Sequence, residues 1–121
     1  MEAVNVSVLR GAVSGPPEIR TLKSGRTVAS LAVRTSAGDG RNTSVPVTVW
    51  DPPAWVETLA PDDEVLVVGR VRRRFFRNAA GGSGARTDVE ADSVVPARDR
   101  RRLAAFLRRV DRELERLDEA G

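Results

Sequence analysis

The stretch Glu64–Phe76, EVLVVGRVRRRFF, has the strongest strand character in the chain. It begins with β-branched and other apolar residues, which favour strands, and it ends with basic and aromatic ones. Side chains on a strand point alternately to opposite faces. One face is therefore predicted to carry Arg70, Arg72, Arg74 and Phe76. The other face begins as a core face and is predicted to carry Val65, Val67, Val71, Arg73 and Phe75.

A row of three guanidinium groups that ends in an aromatic ring suits single-stranded nucleic acid. The cations follow the phosphates, and the ring offers a surface on which a base stacks. Trp50, at the end of the preceding strand-like segment, adds a second ring on the polar side of its strand. If these two strands pair, Trp50 and Phe76 share one sheet surface. The alternatives are a charged edge strand that prevents aggregation and a tryptophan that covers one end of a barrel.

The rest of the first 97 residues is also predicted to form strands. They lie at Val6–Gly11, Thr27–Thr35, Val45–Trp50 and Arg86–Val95, with an extended segment at Ile19–Leu22. Pro46 cannot donate to a ladder, so its strand is an edge or carries a bulge. Ala54–Leu59 is long enough for one or two helical turns, with Trp55 in the core. About five strands with a short helix between the third and the fourth favour a small antiparallel barrel.

The composition excludes several classes of protein. The chain has 121 residues, enough for one domain and a short appendage, and it contains no Cys, His or Tyr. A disulfide framework, a Cys/His zinc site, a Cys nucleophile and a Ser-His-Asp triad are therefore ruled out. No phosphate-binding loop or convincing acid pair is present, so we expect neither an enzyme nor a cofactor.

The basic residues are almost all arginine. Nineteen of the 20 basic residues are Arg, and the formal net charge is +3. Arginine suits planar contacts with phosphates and bases, although such a bias also arises from a GC-rich genome. Apolar runs are far shorter than the roughly 20 residues of a membrane-spanning helix, and the N-terminus does not resemble a signal peptide. We therefore expect a cytoplasmic protein with no membrane partner.

The last segment, residues 98–121, changes to a helical period. Its apolar residues are spaced 4, 3, 4, 3, which is a heptad seam with Phe106 beside it. The predicted contact residues are Leu103, Phe106, Leu107, Val110, Leu114 and Leu117. Asp99 is the predicted N-cap. Residues 98–109 carry a net charge of +5 and residues 110–121 a net charge of −3. Two antiparallel copies would match these halves, so the helix is predicted to contact another chain. The alternatives are a seam that folds back onto its own barrel and a solvated, frayed helix.

The order of these motifs resembles that of the bacterial single-stranded DNA-binding protein (SSB) family. The similarity covers about residues 4 to 96. The matching stretches are Val8-Leu9-Arg10-Gly11, Pro17-Glu18-Ile19-Arg20, Ser24-Gly25, Val28-Ala29-Ser30-Leu31, Val47-Thr48-Val49-Trp50, residues 63–72 (DEVLVVGRVR) and residues 87–92 (TDVEAD). The resemblance implies an OB-fold in residues 1–97, homo-oligomers that are dimers or tetramers, and binding of single-stranded DNA without strong sequence preference. It places stacking aromatics at Trp50 and Phe76 and basic contacts at Arg72 and Arg74.

Two familiar stacking positions carry no ring in this chain. The position that opens the third strand is about Ser44, and the hairpin loop Ala37–Gly40 has no aromatic residue. A helix also replaces the long disordered tail that is usual in the family. We therefore expect a non-enzymatic single-stranded DNA-binding protein of replication, recombination or repair, in which electrostatics contributes much of the affinity. The alternative is an oligomerisation or protein-interaction module with weak or no DNA binding.

Overall fold

The computed structural model describes residues 3–36 and 38–120, and within them the chain forms six strands and two helices. The strands are β1 (Ser7–Val13), β2 (Glu18–Thr21), β3 (Thr27–Ser36), β4 (Asn42–Trp50), β5 (Glu64–Arg77) and β6 (Ser83–Pro96). A 3-10 helix, Ala54–Thr58, joins β4 to β5, and the helix α1, Arg100–Ala120, follows β6.

The strands close into a barrel because β1 pairs with β5 on one side and with β3 on the other. The sheet order is β1-β5-β6-β4-β3-β2, and β1 also pairs with β3 through Ala12 with Arg34 and Val13 with Val33. β1 and β2 follow one another along the same edge of β3, with Pro16–Pro17 between them. Proline lacks the N–H that a ladder needs, so this pair of prolines divides one long strand into two. The predicted five-stranded OB-fold is confirmed, with its first strand in two pieces.

The side chains that point inward from the strands form the barrel core. The buried cluster consists of Val13, Ala29, Leu31, Val33, Val47, Val49, Val56, Leu59, Val65, Val67 and Val89. Trp55 of the 3-10 helix packs against this cluster and is partly buried, as predicted. Most of these side chains are valine, so β-branched side chains fill most of the interior.

Pro46 lies where β4 has a partner on one side only. It is opposite Ala32 of β3, whereas β4 pairs with β6 only at Val47 and Thr48. A missing N–H at Pro46 therefore costs no ladder hydrogen bond. The sequence predicted an edge strand or a bulge here. β4 instead lies between β3 and β6, and Pro46 precedes its short pairing with β6.

The end of the β5–β6 hairpin extends beyond the barrel as a two-stranded arm. β1 pairs with β5 only as far as Gly69. Past these pairings, the backbones of Arg72–Arg77 and Ser83–Asp88 pair only with each other, and these residues are called the arm. At the base of the arm, the side chain of Asp88 still contacts Thr48 of β4. β6 begins at Ser83 rather than at the predicted Arg86, because pairing with β5 continues as far as Arg77.

Gly69 occupies a position where two strands approach too closely for a side chain. It adjoins a bulge in the β5–β6 ladder, and a Cβ placed on it lies 2.1 Å from the carbonyl oxygen of Glu90. We expect Gly69→Ala to lower the free energy of unfolding by about 1–3 kcal/mol, because the backbone must shift to make room. Denaturant unfolding measures this loss. Gly15→Ala is the matched control, since a Cβ there has no atom within 4 Å. Equal stability of the two variants would contradict the prediction.

The helix α1 begins where the sequence predicts. The backbone N–H of Arg102 donates to Asp99 Oδ1 over 3.1 Å, which is an N-cap hydrogen bond. Neither helix within residues 3–36 and 38–120 is long and apolar enough to span a membrane.

Three of the six predicted contact residues of the helix pack on the chain's own barrel. Phe106 is buried against Leu66 and Val95, and Leu103 and Val110 pack beside it. The remaining seam residues are Leu107 and Leu114, which are exposed, and Leu117, which is half-buried. The first half of the helix therefore folds back onto the barrel, one of the alternatives that the sequence left open. Contact of the second half with another chain stays a prediction.

Candidate nucleic-acid interface

A shallow groove of about 130 Å³ lies on the outer face of the sheet. Outward-facing side chains dominate it, because the inward ones form the barrel core. The groove is lined by Arg20, Leu22, Val28, Ser30, Pro46, Val47, Thr48, Trp50, Arg74, Arg86 and Asp88. A ring, three guanidinium groups and small polar side chains thus come together from β2 to β6. Of the predicted site residues, the groove brings together Trp50 and Arg74.

Trp50 is a half-buried ring with a cation on it. It ends β4 opposite Val28 of β3, on the outer face. The guanidinium carbon of Arg26 lies 4.6 Å from the ring centroid, and Arg26 Nη2 is 3.0 Å from Asp51 Oδ2. Both contacts are exposed, and interactions of each kind contribute at most about 1 kcal/mol at exposed sites. A base that stacks on Trp50 can therefore displace Arg26 at small cost.

The three arginines of the predicted phosphate row each face an acid on β6. Arg70 Nη2 lies 3.5 Å from Asp92 Oδ1, Arg74 Nε lies 3.1 Å from Asp88 Oδ2, and Arg72 pairs with Glu90. These pairs form because β5 and β6 are neighbours and the acids alternate with the same period as the arginines. The row is thus electrically balanced, and a phosphate must compete with a carboxylate at each of its positions.

The innermost pair is structural. Asp88 is 5% exposed and is the only buried charged residue among the described residues. Its Oδ2 accepts a hydrogen bond from Thr48 Oγ1 over 2.7 Å as well as the one from Arg74 Nε. Asp88 therefore ties β4, β5 and β6 together where the parallel β4–β6 pairing is only two residues long.

Phe76 lies on the arm with one side of its ring against the opposite strand. It pairs with Gly84, and a Cβ placed on Gly84 lies only 2.7 Å from Phe76 Cζ. The missing side chain at Gly84 lets the ring lie across β6. Phe76 is 50% exposed, so its outer side is open to solvent. A ring that is supported on one side and open on the other suits base stacking.

Trp50 and Phe76 share a face of the sheet but are far apart. β6 lies between β4 and β5, so these two strands do not pair. Thr48 is opposite Glu90 on β6, and Phe76 is opposite Gly84, six positions away. Six strand residues span about 20 Å, and Trp50 lies beyond Thr48 in the direction away from Gly84. A nucleic-acid strand that touches both rings must therefore run along the sheet.

The sequence interpretation missed the groove's own unpaired cations. Arg20 and Arg86 line the groove and make no ion pair within residues 3–36 and 38–120. Arg20 lies in one of the stretches on which the family resemblance rests, and Arg86 opens the alternating segment that became β6. The sequence also indicated that acids could neutralise the arginine row. Asp88, Glu90 and Asp92 alternate in the segment that became β6 and therefore point to one face.

The fold and its outer face together define an OB-fold protein with a basic and aromatic surface. Comparison with protein families matches residues 4–96 to the "Single-strand binding protein family". The match covers most of the chain, and the chain belongs to this family. No curated protein matches the sequence.

The chain is also similar to a solved structure with the same fold. It is a deletion mutant of the single-stranded DNA binding protein from Thermus aquaticus, with 26% sequence identity and a TM-score of 0.64. The similarity covers 77% of this chain and 40% of that one. The chain therefore corresponds to less than half of that protein.

Proposed function

We propose that this protein is a non-enzymatic, largely sequence-independent single-stranded DNA-binding protein that acts in replication, recombination or repair. The observation that carries the proposal is the outer face of the sheet, where the groove at Trp50 and the supported ring of Phe76 lie on one surface with arginines between them. Membership in the family supports the ligand class. Stacking on rings accepts every base, which accounts for the lack of sequence preference.

The arginines divide into two groups on this surface. Arg20 and Arg86 make no ion pair in the described part of the chain, and we propose them as the principal phosphate contacts. Arg70, Arg72 and Arg74 each pair with an acid of β6 and so hold β5 and β6 together. Each of them binds a phosphate only if it gives up its carboxylate partner, which costs free energy. Each phosphate contact contributes about 0.7 to the slope of log affinity against log salt for single strands. The affinity should therefore fall clearly as salt rises.

Removal of either ring tests the proposal. We expect Phe76→Ala and Trp50→Ala each to weaken binding of a labelled oligo-dT by about 1–3 kcal/mol, because a base loses its stacking surface. Fluorescence anisotropy titrations at two salt concentrations measure the effect. Ser14→Ala is the control, since Ser14 is an exposed residue of the barrel that lies outside the groove and the arm. Absence of wild-type binding at low salt would refute the function, and unchanged binding by both ring variants would refute this site.

A second candidate function is assembly or protein interaction with little DNA binding. It is favoured by the acid-balanced arginine row and by exposed apolar side chains at Val4, Val6 and Val8 near β1 and at Leu107 and Leu114 on α1. We propose that the protein forms a homo-oligomer, a dimer or a tetramer, to which these surfaces contribute. Light scattering on the wild type measures the mass. An oligomer that binds no oligo-dT would favour this second function.

A further inference from the structure

The arm has a second face that the proposed site does not use. Residues directly opposite in an antiparallel pair point to the same side, so Arg73, Phe75 and Arg77 share a face with Thr87, Ala85 and Ser83. These six residues are called the reverse face. The sequence placed Phe75 on the side that begins as a core face. It is instead 78% exposed, because β5 has left the barrel before reaching it.

Charge distinguishes the two faces of the arm. The opposite face of the arm carries Arg72, Arg74 and Arg86, and there Arg72 and Arg74 each contact a carboxylate of β6. The reverse face contains no acidic residue, and its two arginines make no ion pair within the described part of the chain. The positive charge of the reverse face is therefore uncompensated, in contrast to the row that the sequence singled out.

The ring of Phe75 is positioned for contact with a ligand. The guanidinium carbon of Arg73 lies 5.4 Å from the ring centroid, so a cation accompanies the ring. The residue opposite is Ala85, whose small side chain leaves the ring uncovered. The ring is thus open to solvent and has arginines on the same face, the combination by which proteins stack a base and hold the phosphates of a single strand.

We propose that the reverse face is a second contact for the same DNA strand, with a base stacked on Phe75 and phosphates on Arg73 and Arg77. This proposal rests on the proposed function. Phe75 and Phe76 are consecutive and point to opposite sides of a two-stranded arm. A strand that leaves the Phe76 ring therefore meets the reverse face by passing around the arm. The arm binds DNA on both sides, and the reverse face adds Arg73 and Arg77 to Arg86, the arginine of the other face that makes no ion pair within the described residues.

Titration with oligo-dT of about 30 nucleotides, longer than the roughly 4–16 nucleotides that an OB-fold covers, tests the proposal. We expect Phe75→Ala and Phe75→Leu each to weaken binding about 5-fold to 100-fold, because both lose the ring. Arg73→Gln/Arg77→Gln should lower the salt slope by about 1.4, the contribution of two phosphates. Arg108→Gln/Arg112→Gln on α1 removes the same charge and should leave affinity and slope nearly unchanged. Photo-cross-linking of iodouracil-substituted oligo-dT to the wild type should label Phe75.

The outcomes separate this proposal from the proposed function. If the wild type binds, Phe76→Ala weakens binding and the Phe75 variants do not, the reverse face is refuted and the function stands. If the wild type does not bind oligo-dT, both are refuted. If the Phe75 variants lower the mass measured by light scattering and leave DNA affinity unchanged, the face contacts a second copy and the proposal is wrong. Lost affinity with unchanged mass and melting temperature, together with the cross-link, supports it.

Discussion

Replacement of Asp88 by alanine is expected to lower the free energy of unfolding by about 3 kcal/mol. Asp88 is buried and accepts hydrogen bonds from Thr48 and Arg74. Its removal leaves the partly buried guanidinium of Arg74 without its carboxylate, and loss of one partner of a buried pair costs about 3–5 kcal/mol. We take the lower end because the Arg74 side chain is 33% exposed. Urea unfolding followed by Trp fluorescence measures the change.

Asp92→Ala is the matched control for Asp88. It removes the acid from another pair of the same row, but both side chains of that pair are more than half exposed. Exposed pairs contribute at most about 1 kcal/mol, so this variant should be close to the wild type. A loss of similar size in both variants would mean that burial does not distinguish the pairs, and the structural role of Asp88 would be wrong.

Replacement of Phe106 by alanine is expected to lower the free energy with which α1 docks on the barrel by about 3–5 kcal/mol. Phe106 is 4% exposed and is the buried anchor of α1 on Leu66 and Val95. The barrel core is a separate cluster, so the loss should release the helix rather than unfold the barrel. Hydrogen exchange of the α1 amides and limited proteolysis within α1 should both accelerate, while the β-sheet amides keep their protection.

Leu107→Ala controls for helix propensity and for position. Leu107 is the next residue but is 48% exposed, and substitutions of exposed residues usually change stability by less than about 0.5 kcal/mol. If Leu107→Ala released the helix and Phe106→Ala did not, the docking geometry would be wrong. A mass change in Leu107→Ala without helix release would instead support the predicted contact of the outer seam with another chain.

The local pattern of the sequence predicted the barrel and its outer face correctly. Alternation in Thr27–Thr35 and in the first half of Glu64–Phe76 separated inward from outward side chains, because the direction of a side chain on a strand depends only on its position in that strand. The N-cap at Asp99 was predicted for a similar reason, since it depends on one side chain and the helical turn that follows it. The resemblance to the family rested on the order of such local motifs, and the family match over residues 4–96 confirms it.

Properties that depend on neighbouring strands required the folded structure. Alternation placed the arginines of β5 on one face but could not show that β6, with its acids in the same period, lies beside them. It could not show that β6 separates Trp50 from Phe76, nor that Phe75 lies beyond the end of the barrel. The heptad of α1 likewise predicted an apolar seam without its partner. Side-chain direction is a local property of the chain, whereas charge compensation, burial and distance arise from pairings between residues remote in sequence, and the fold alone sets those pairings.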